Sequence, residues 1–81
     1  MKIQVKLFAA AREAVGSPTV CVDLPQSATA ADLRAAIAAQ CPVLDSTVRH
    51  WLLAINHQYA NDTTVIPADA EIACIPPVSG G

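Results

Sequence analysis

The residues best suited to chemistry stand at the end of the sequence, in Cys74-Ile75-Pro76-Pro77-Val78-Ser79-Gly80-Gly81. Proline fixes φ near −65° and drives the residue before it into extended backbone, so Pro76 and Pro77 predict a stiff, straight exit from whatever precedes them. The stretch from Pro76 to Gly81 spans roughly 20 Å when extended. Gly80 and Gly81 carry no side chain and can thread a channel too narrow for any other residue. A carboxylate on Gly81 is a poor electrophile as it stands. Attack on the α-phosphate of ATP turns it into an acyl adenylate, whose acyl group can pass to a thiol, an amine or a sulfide. Sulfur delivered to that carbon gives a thiocarboxylate, a compact sulfur donor on a reaching arm. The sequence has no phosphate loop, no metal-ligand cluster and no nucleophile–base pair. The activating chemistry is therefore expected from a partner enzyme that uses ATP, with no cofactor bound by this chain.

An arm of this kind needs a handle, and the composition bounds it. Eighty-one residues allow one domain with a small core. Sixteen of them are alanine, so Ile, Leu and Val, with a single Phe, Trp and Tyr, must supply most of the buried area. Small domains of this size usually need a staple or a partner. The formal net charge is −2, and the basic residues Lys2, Lys6, Arg12, Arg34 and Arg49 are dispersed, which argues against nucleic acid as a partner. No apolar run approaches the length of a membrane span. Alternation and the charges at Arg12 and Glu13 interrupt any signal-like core at the N-terminus, so a cytoplasmic protein is expected. Cys21, Cys41 and Cys74 are odd in number and widely spaced, which fits neither a disulfide framework nor a zinc site. Cys74 is close to the arm, but burial is expected to leave it inert. His50 and His57 fall in expected loops and read as solvated.

Periodicity then places the elements. Residues 2–8 alternate, with Ile3, Val5 and Leu7 on one side and Lys2, Gln4, Lys6 and Phe8 on the other. "AAAREAV" reads as a short helix stopped by Gly16. Residues 19–24 alternate again, with Val20, Val22 and Leu24 inward and Cys21 outward, giving an antiparallel hairpin with a broad loop. Thr29 and Asp32 form a capping-box pattern ahead of a helix that runs to about Gln40, with Leu33 and Ile37 on its inner stripe. Cys41-Pro42 ends it. Residues 43–50 fit a turn or short helix, and Trp51 belongs to the core or its rim. "WLLAIN" reads as a central strand, "NHQYA" as a hairpin turn into a strand around Tyr59, "NDTTVIPAD" as loop with room for one helical turn. "EIACI" reads as the last strand, with Ile72 and Cys74 on one face and Glu71, Ala73 and Ile75 on the other. Strands flanking one long helix make an α+β domain of the β-grasp, ubiquitin-like pattern. The first and last strands are expected as parallel neighbours, with a domain over residues 1–75 and a tail over 76–81.

On "VKLFAAAREAVG", "LLAINHQYA" and above all "EIACIPPVSGG", the sequence resembles, over its whole length, the small subunit family of molybdopterin synthase. This is a family of ubiquitin-like sulfur carriers in molybdenum cofactor biosynthesis. The resemblance implies that Gly81 is adenylated by an ATP-dependent activating enzyme, then converted to a thiocarboxylate with a sulfur donor enzyme. It implies insertion of the tail into the large subunit of the synthase, within a heterotetramer of two large and two small subunits. Two carriers would supply the two sulfurs of the dithiolene. Carriers for thiamin or tRNA thiolation and protein modifiers joined through their terminal glycine are the alternatives; Pro-Pro-Val-Ser argues against the thiamin branch. The family pattern Asp-Gly-Asp-Glu is replaced here by Ala68-Asp69-Ala70-Glu71, so a reshaped turn is expected.

The alternation makes a separate prediction. Phe8 and Ile75 fall on the outer faces of their strands, beside the root of the tail, and Tyr59 is able to join them. An exposed apolar cluster of this kind marks a partner site. Phe8, Tyr59 and Ile75, with Pro76, Pro77, Val78, Ser79 and Gly80 of the tail, are the expected partner-binding residues, and Gly81 is the expected reactive one.

Overall fold

Strict alternation builds the first strand. In the computed structural model, which describes residues 1–76, β1 (Lys2–Leu7) buries Ile3, Val5 and Leu7 and exposes Lys2, Gln4 and Lys6. Phe8 leaves the strand as the N-cap of α1 (Ala9–Val15). Gly16 ends that helix in the left-handed region at φ 78°, its N–H donating to the Arg12 carbonyl, a position that favours glycine. The chain returns as β2 (Thr19–Asp23), antiparallel to β1, with Ile3 opposite Val22 and Val5 opposite Val20.

The long helix is α2 (Ala30–Gln40). Its capping box is complete: the Asp32 N–H donates to the Thr29 hydroxyl oxygen, and the Thr29 N–H donates to the Asp32 carboxylate at 2.9 Å. The first-turn N–H groups of Ala30 and Ala31 donate to the carbonyls of Thr64 and Asp62, so the 61–66 segment closes the helix start. That segment forms no helical turn; Val65 makes an isolated antiparallel bridge to Thr29. Residues 42–50 are two 3₁₀ turns, Pro42–Leu44 and Val48–His50, which bury Leu44 and Val48. Arg34 ties both regions to the helix, donating from Nη1 to the Val48 carbonyl at 2.6 Å and from Nε to the Asp62 carboxylate at 3.0 Å.

β3 (Leu52–Ile55), β4 (Gln58–Ala60) and β5 (Ile72–Ile75) complete a five-stranded sheet in the order β2-β1-β5-β3-β4. β5 is parallel to β1 and antiparallel to β3, so the first and last strands lie side by side as expected. One face of the sheet packs on α2. Leu33 and Ile37 meet Ile3, Val5, Leu53, Ile72 and Cys74 in a core whose buried side chains are all apolar. Trp51 belongs to that core, at 5% exposure. This α+β arrangement is the β-grasp fold.

Candidate functional site

The outer face of the sheet is where the tail begins. Leu7 aligns with Cys74 and Ile75 with Leu52, which sets Phe8, extended just past the end of β1, in line with Ile75 and Leu52 at the root of Pro76. Phe8 is 46% and Leu52 47% exposed, and Ile75 and Pro76 are half-buried. The next row runs Lys6, Ala73, Ala54, Tyr59. Its two central alanines lower the surface, and Lys6, Phe8, Ala54, His57, Glu71 and Ala73 line a shallow basin.

Phe8 and Ile75 therefore come together as the alternation predicts. Tyr59 shares their face and is well exposed, but it stands on the edge strand β4. Three strand spacings of ~4.8 Å put it about 14 Å from β1, so it flanks the patch from a distance and also borders a separate hollow with Val65 and Pro67. Pro77, Val78, Ser79, Gly80 and Gly81 lie outside the described residues.

Leu52 and the alanine floor were not singled out by sequence reasoning. "WLLAIN" is apolar on both sides and reads as a buried strand. The available signal is that a sheet covered by one helical layer keeps period-two exposure even in an apolar run. With Leu53 and Ile55 buried, Leu52 must face out.

A polar cluster rims the basin. Lys6 Nζ lies 2.6 Å from Glu71 Oε1, and His57 Nε2 lies 3.1 Å from Glu71 Oε2. The hydrogen bond and charge of Lys6, then the charge of His57, hold the Glu71 carboxyl below its usual value. Asn56 fixes Glu71 from the other side. Its side-chain oxygen accepts the Glu71 N–H at 2.9 Å, and its own N–H donates to the Glu71 carbonyl at 2.8 Å. In the turn before β5, Asp69 stands at the glycine position of the family pattern and adopts φ 61°, a region that Asp tolerates better than most residues.

Cys74 faces the core with no exposed surface, and burial pushes its thiol up to about 12, against a smaller opposing pull from Arg34. Such a thiol stays protonated and unreactive at neutral pH. Among the described residues no group of three or more His, Cys, Asp or Glu is placed to hold a metal ion, and no helix is long and apolar enough to cross a membrane.

The fold is shared with known proteins. The family model described as the ThiS family matches residues 5–81. The molybdopterin synthase sulfur carrier subunit of Chlamydomonas reinhardtii is 37% identical over 83 residues, taking in 100% of both chains. The crystal structure of the small archaeal modifier protein SAMP1 from Haloferax volcanii superposes with a TM-score of 0.89 at 35% identity, over 100% of each chain. A chain from the complex of subunits 1 and 2 of the molybdopterin-converting factor of Helicobacter pylori has the same fold, with a TM-score of 0.67 at 22% identity over 100% of each chain. The chain belongs to the ThiS family, as a ubiquitin-like β-grasp protein whose full-length relatives are molybdopterin synthase sulfur carrier subunits.

Proposed function

We propose that this chain is the sulfur carrier subunit of a molybdopterin synthase. The observation that carries the reading is its full-length identity to curated carrier subunits. The fold supports it by setting an exposed apolar row at the root of the tail. The Gly81 carboxylate attacks the α-phosphate of ATP on an adenylating enzyme and releases pyrophosphate. Sulfide-level sulfur from a donor enzyme attacks the acyl carbon, breaks its bond to the phosphate oxygen, expels AMP and leaves a thiocarboxylate. The outer face then docks on the large subunit through Phe8, Ile75 and Leu52, with Tyr59 at its margin. Pro76 and Pro77 aim the arm, Val78 and Ser79 line the entrance, and Gly80 carries Gly81 to the substrate. The large subunit holds a cyclic pyranopterin monophosphate, and two carriers in a heterotetramer supply its two sulfurs.

Intact mass after co-expression with an adenylating enzyme and a sulfur donor tests the loading step. The expected gain is that of one oxygen replaced by one sulfur. One residue added after Gly81 should abolish the gain while leaving the melting curve unchanged; normal sulfur transfer by that variant would sink the mechanism. A second reading, conjugation to lysines as a protein modifier, draws support from the Haloferax structure. Ladders of higher-mass conjugates with no sulfur gain would favour it.

A further inference from the structure

The connection between β3 and β4 carries an unexplained residue. Ile55 pairs with Gln58, so the whole turn is Asn56-His57, and both residues have positive φ, 51° and 70°. A two-residue hairpin turn of this type takes Asn readily at its first position and favours Gly at its second. Histidine there is less favoured than glycine and carries some backbone strain. The His57 side chain is 83% exposed, and its contact is an exposed ion pair, a kind that adds little stability. Strained residues persist where function holds them.

The rim's hydrogen-bonding capacity points to what His57 meets. Both carboxylate oxygens of Glu71 are engaged, one by Lys6 and one by His57. Its backbone N–H and C=O are engaged by Asn56. Among the described residues, Lys6 Nζ donates only to Glu71, which leaves two of its three N–H groups for another acceptor. The rim thus offers two unspent Lys6 N–H groups and an exposed imidazole above a floor of Ala54 and Ala73 walled by Phe8.

We propose that Lys6 and His57 form a receptor for a carboxylate of the large subunit, carried beside an apolar side chain that fills the alanine-floored basin. The inference rests on the docking face proposed above and adds an ionic register to it. Glu71 holds the Lys6 and His57 side chains at the basin edge.

Calorimetric affinity of the folded full-length chain for the large subunit tests this, at low salt and at about 0.5 M, where surface charges are screened. His57→Gly should melt about 2–4 °C higher, because glycine relaxes the turn. The same variant should bind about threefold more weakly at low salt, with the deficit closing at high salt. His57→Asn, which tolerates the turn but lacks the imidazole, should show the same deficit. Phe8→Ala should weaken binding at both salt concentrations. If Phe8→Ala weakens binding and both His57 variants bind as wild type, the carboxylate receptor is wrong and the docking face stands. If none of the three weakens it, the docking face itself is wrong. A His57 deficit that persists unchanged at high salt, or a lower melting point for His57→Gly, would also overturn the receptor.

Discussion

The two faces of the sheet are written in alternate residues of the same strands, and they follow different rules. The inner face, with Ile3, Val5, Leu7, Val20, Val22, Leu53, Ile55, Ile72 and Cys74, is closed to water and wholly apolar. The outer face mixes Lys2, Gln4, Lys6 and Asp23 with Leu52, Ala54, Tyr59, Ala73 and Ile75. Its apolar residues gather toward β5 and the tail, and its charged ones toward β1 and β2. Apolar content alone does not separate the faces. The inner one is apolar because α2 covers it, whereas the outer one is apolar only where a partner is expected. One step along a strand therefore changes whether a substitution is felt as stability or as recognition.

Ile72→Ala tests the inner rule most severely. It should cost about 3 kcal/mol of stability, a drop on the order of 15 °C in Tm. Ile75→Ala, three residues on, should cost far less and weaken partner binding. Equal losses of stability at the two positions would erase the distinction.

Cys74 sharpens the contrast through pH. Its folded value is raised from 9.0 to about 12. Above pH 9 the unfolded chain gives up this proton while the folded chain keeps it, so stability falls as pH rises across that window. The loss should be on the order of 1–2 kcal/mol by pH 10.5. Subtracting the profile of Cys74→Ala isolates it from the lysines and the tyrosine. Parallel profiles would mean the inner face is wetter than its packing indicates.

Smaller effects separate the outer face from the frame. Leu52→Ala should lose about fivefold in affinity for the large subunit while changing stability by less than about 0.5 kcal/mol. Thr29→Ala breaks the α2 cap, and should cost about 1 kcal/mol of stability with no change in affinity. A binding defect in the cap variant would show that the two properties are not separable by position. Least of all, Lys6→Gln should leave the urea midpoint almost unmoved, since its ion pair with Glu71 is exposed on both sides.

Much of the frame was legible in the sequence because local chemistry and burial agreed. Alternation placed β1, β2 and β5, Thr29 and Asp32 announced the start of α2, and Gly16 marked the end of α1. The Phe8–Ile75 pairing was also legible, since parity assigned both to the outer face. Residues 42–50 were not, because two short 3₁₀ turns are set by long-range fixtures such as the Arg34 contact to Val48, which no local pattern encodes. The 61–66 segment was obscure for the same reason: its carbonyls are spent on the helix N-terminus. Leu52 was hidden inside an apolar run, and the Lys6–Glu71–His57 rim draws on three separate elements that only the strand order brings together.

The adjacency of β1 and β5 also orders events in time. Lys6 and Glu71 meet across a separation of 65 residues, so the row of Phe8, Ile75 and Leu52 does not exist until the last strand has left the ribosome and closed against the first. Such distant pairings form late and slowly compared with local helical turns. A misfolded chain can keep its glycines exposed but cannot display the row. A partner that reads that row before engaging the arm would reject misfolded chains without any separate proofreading step.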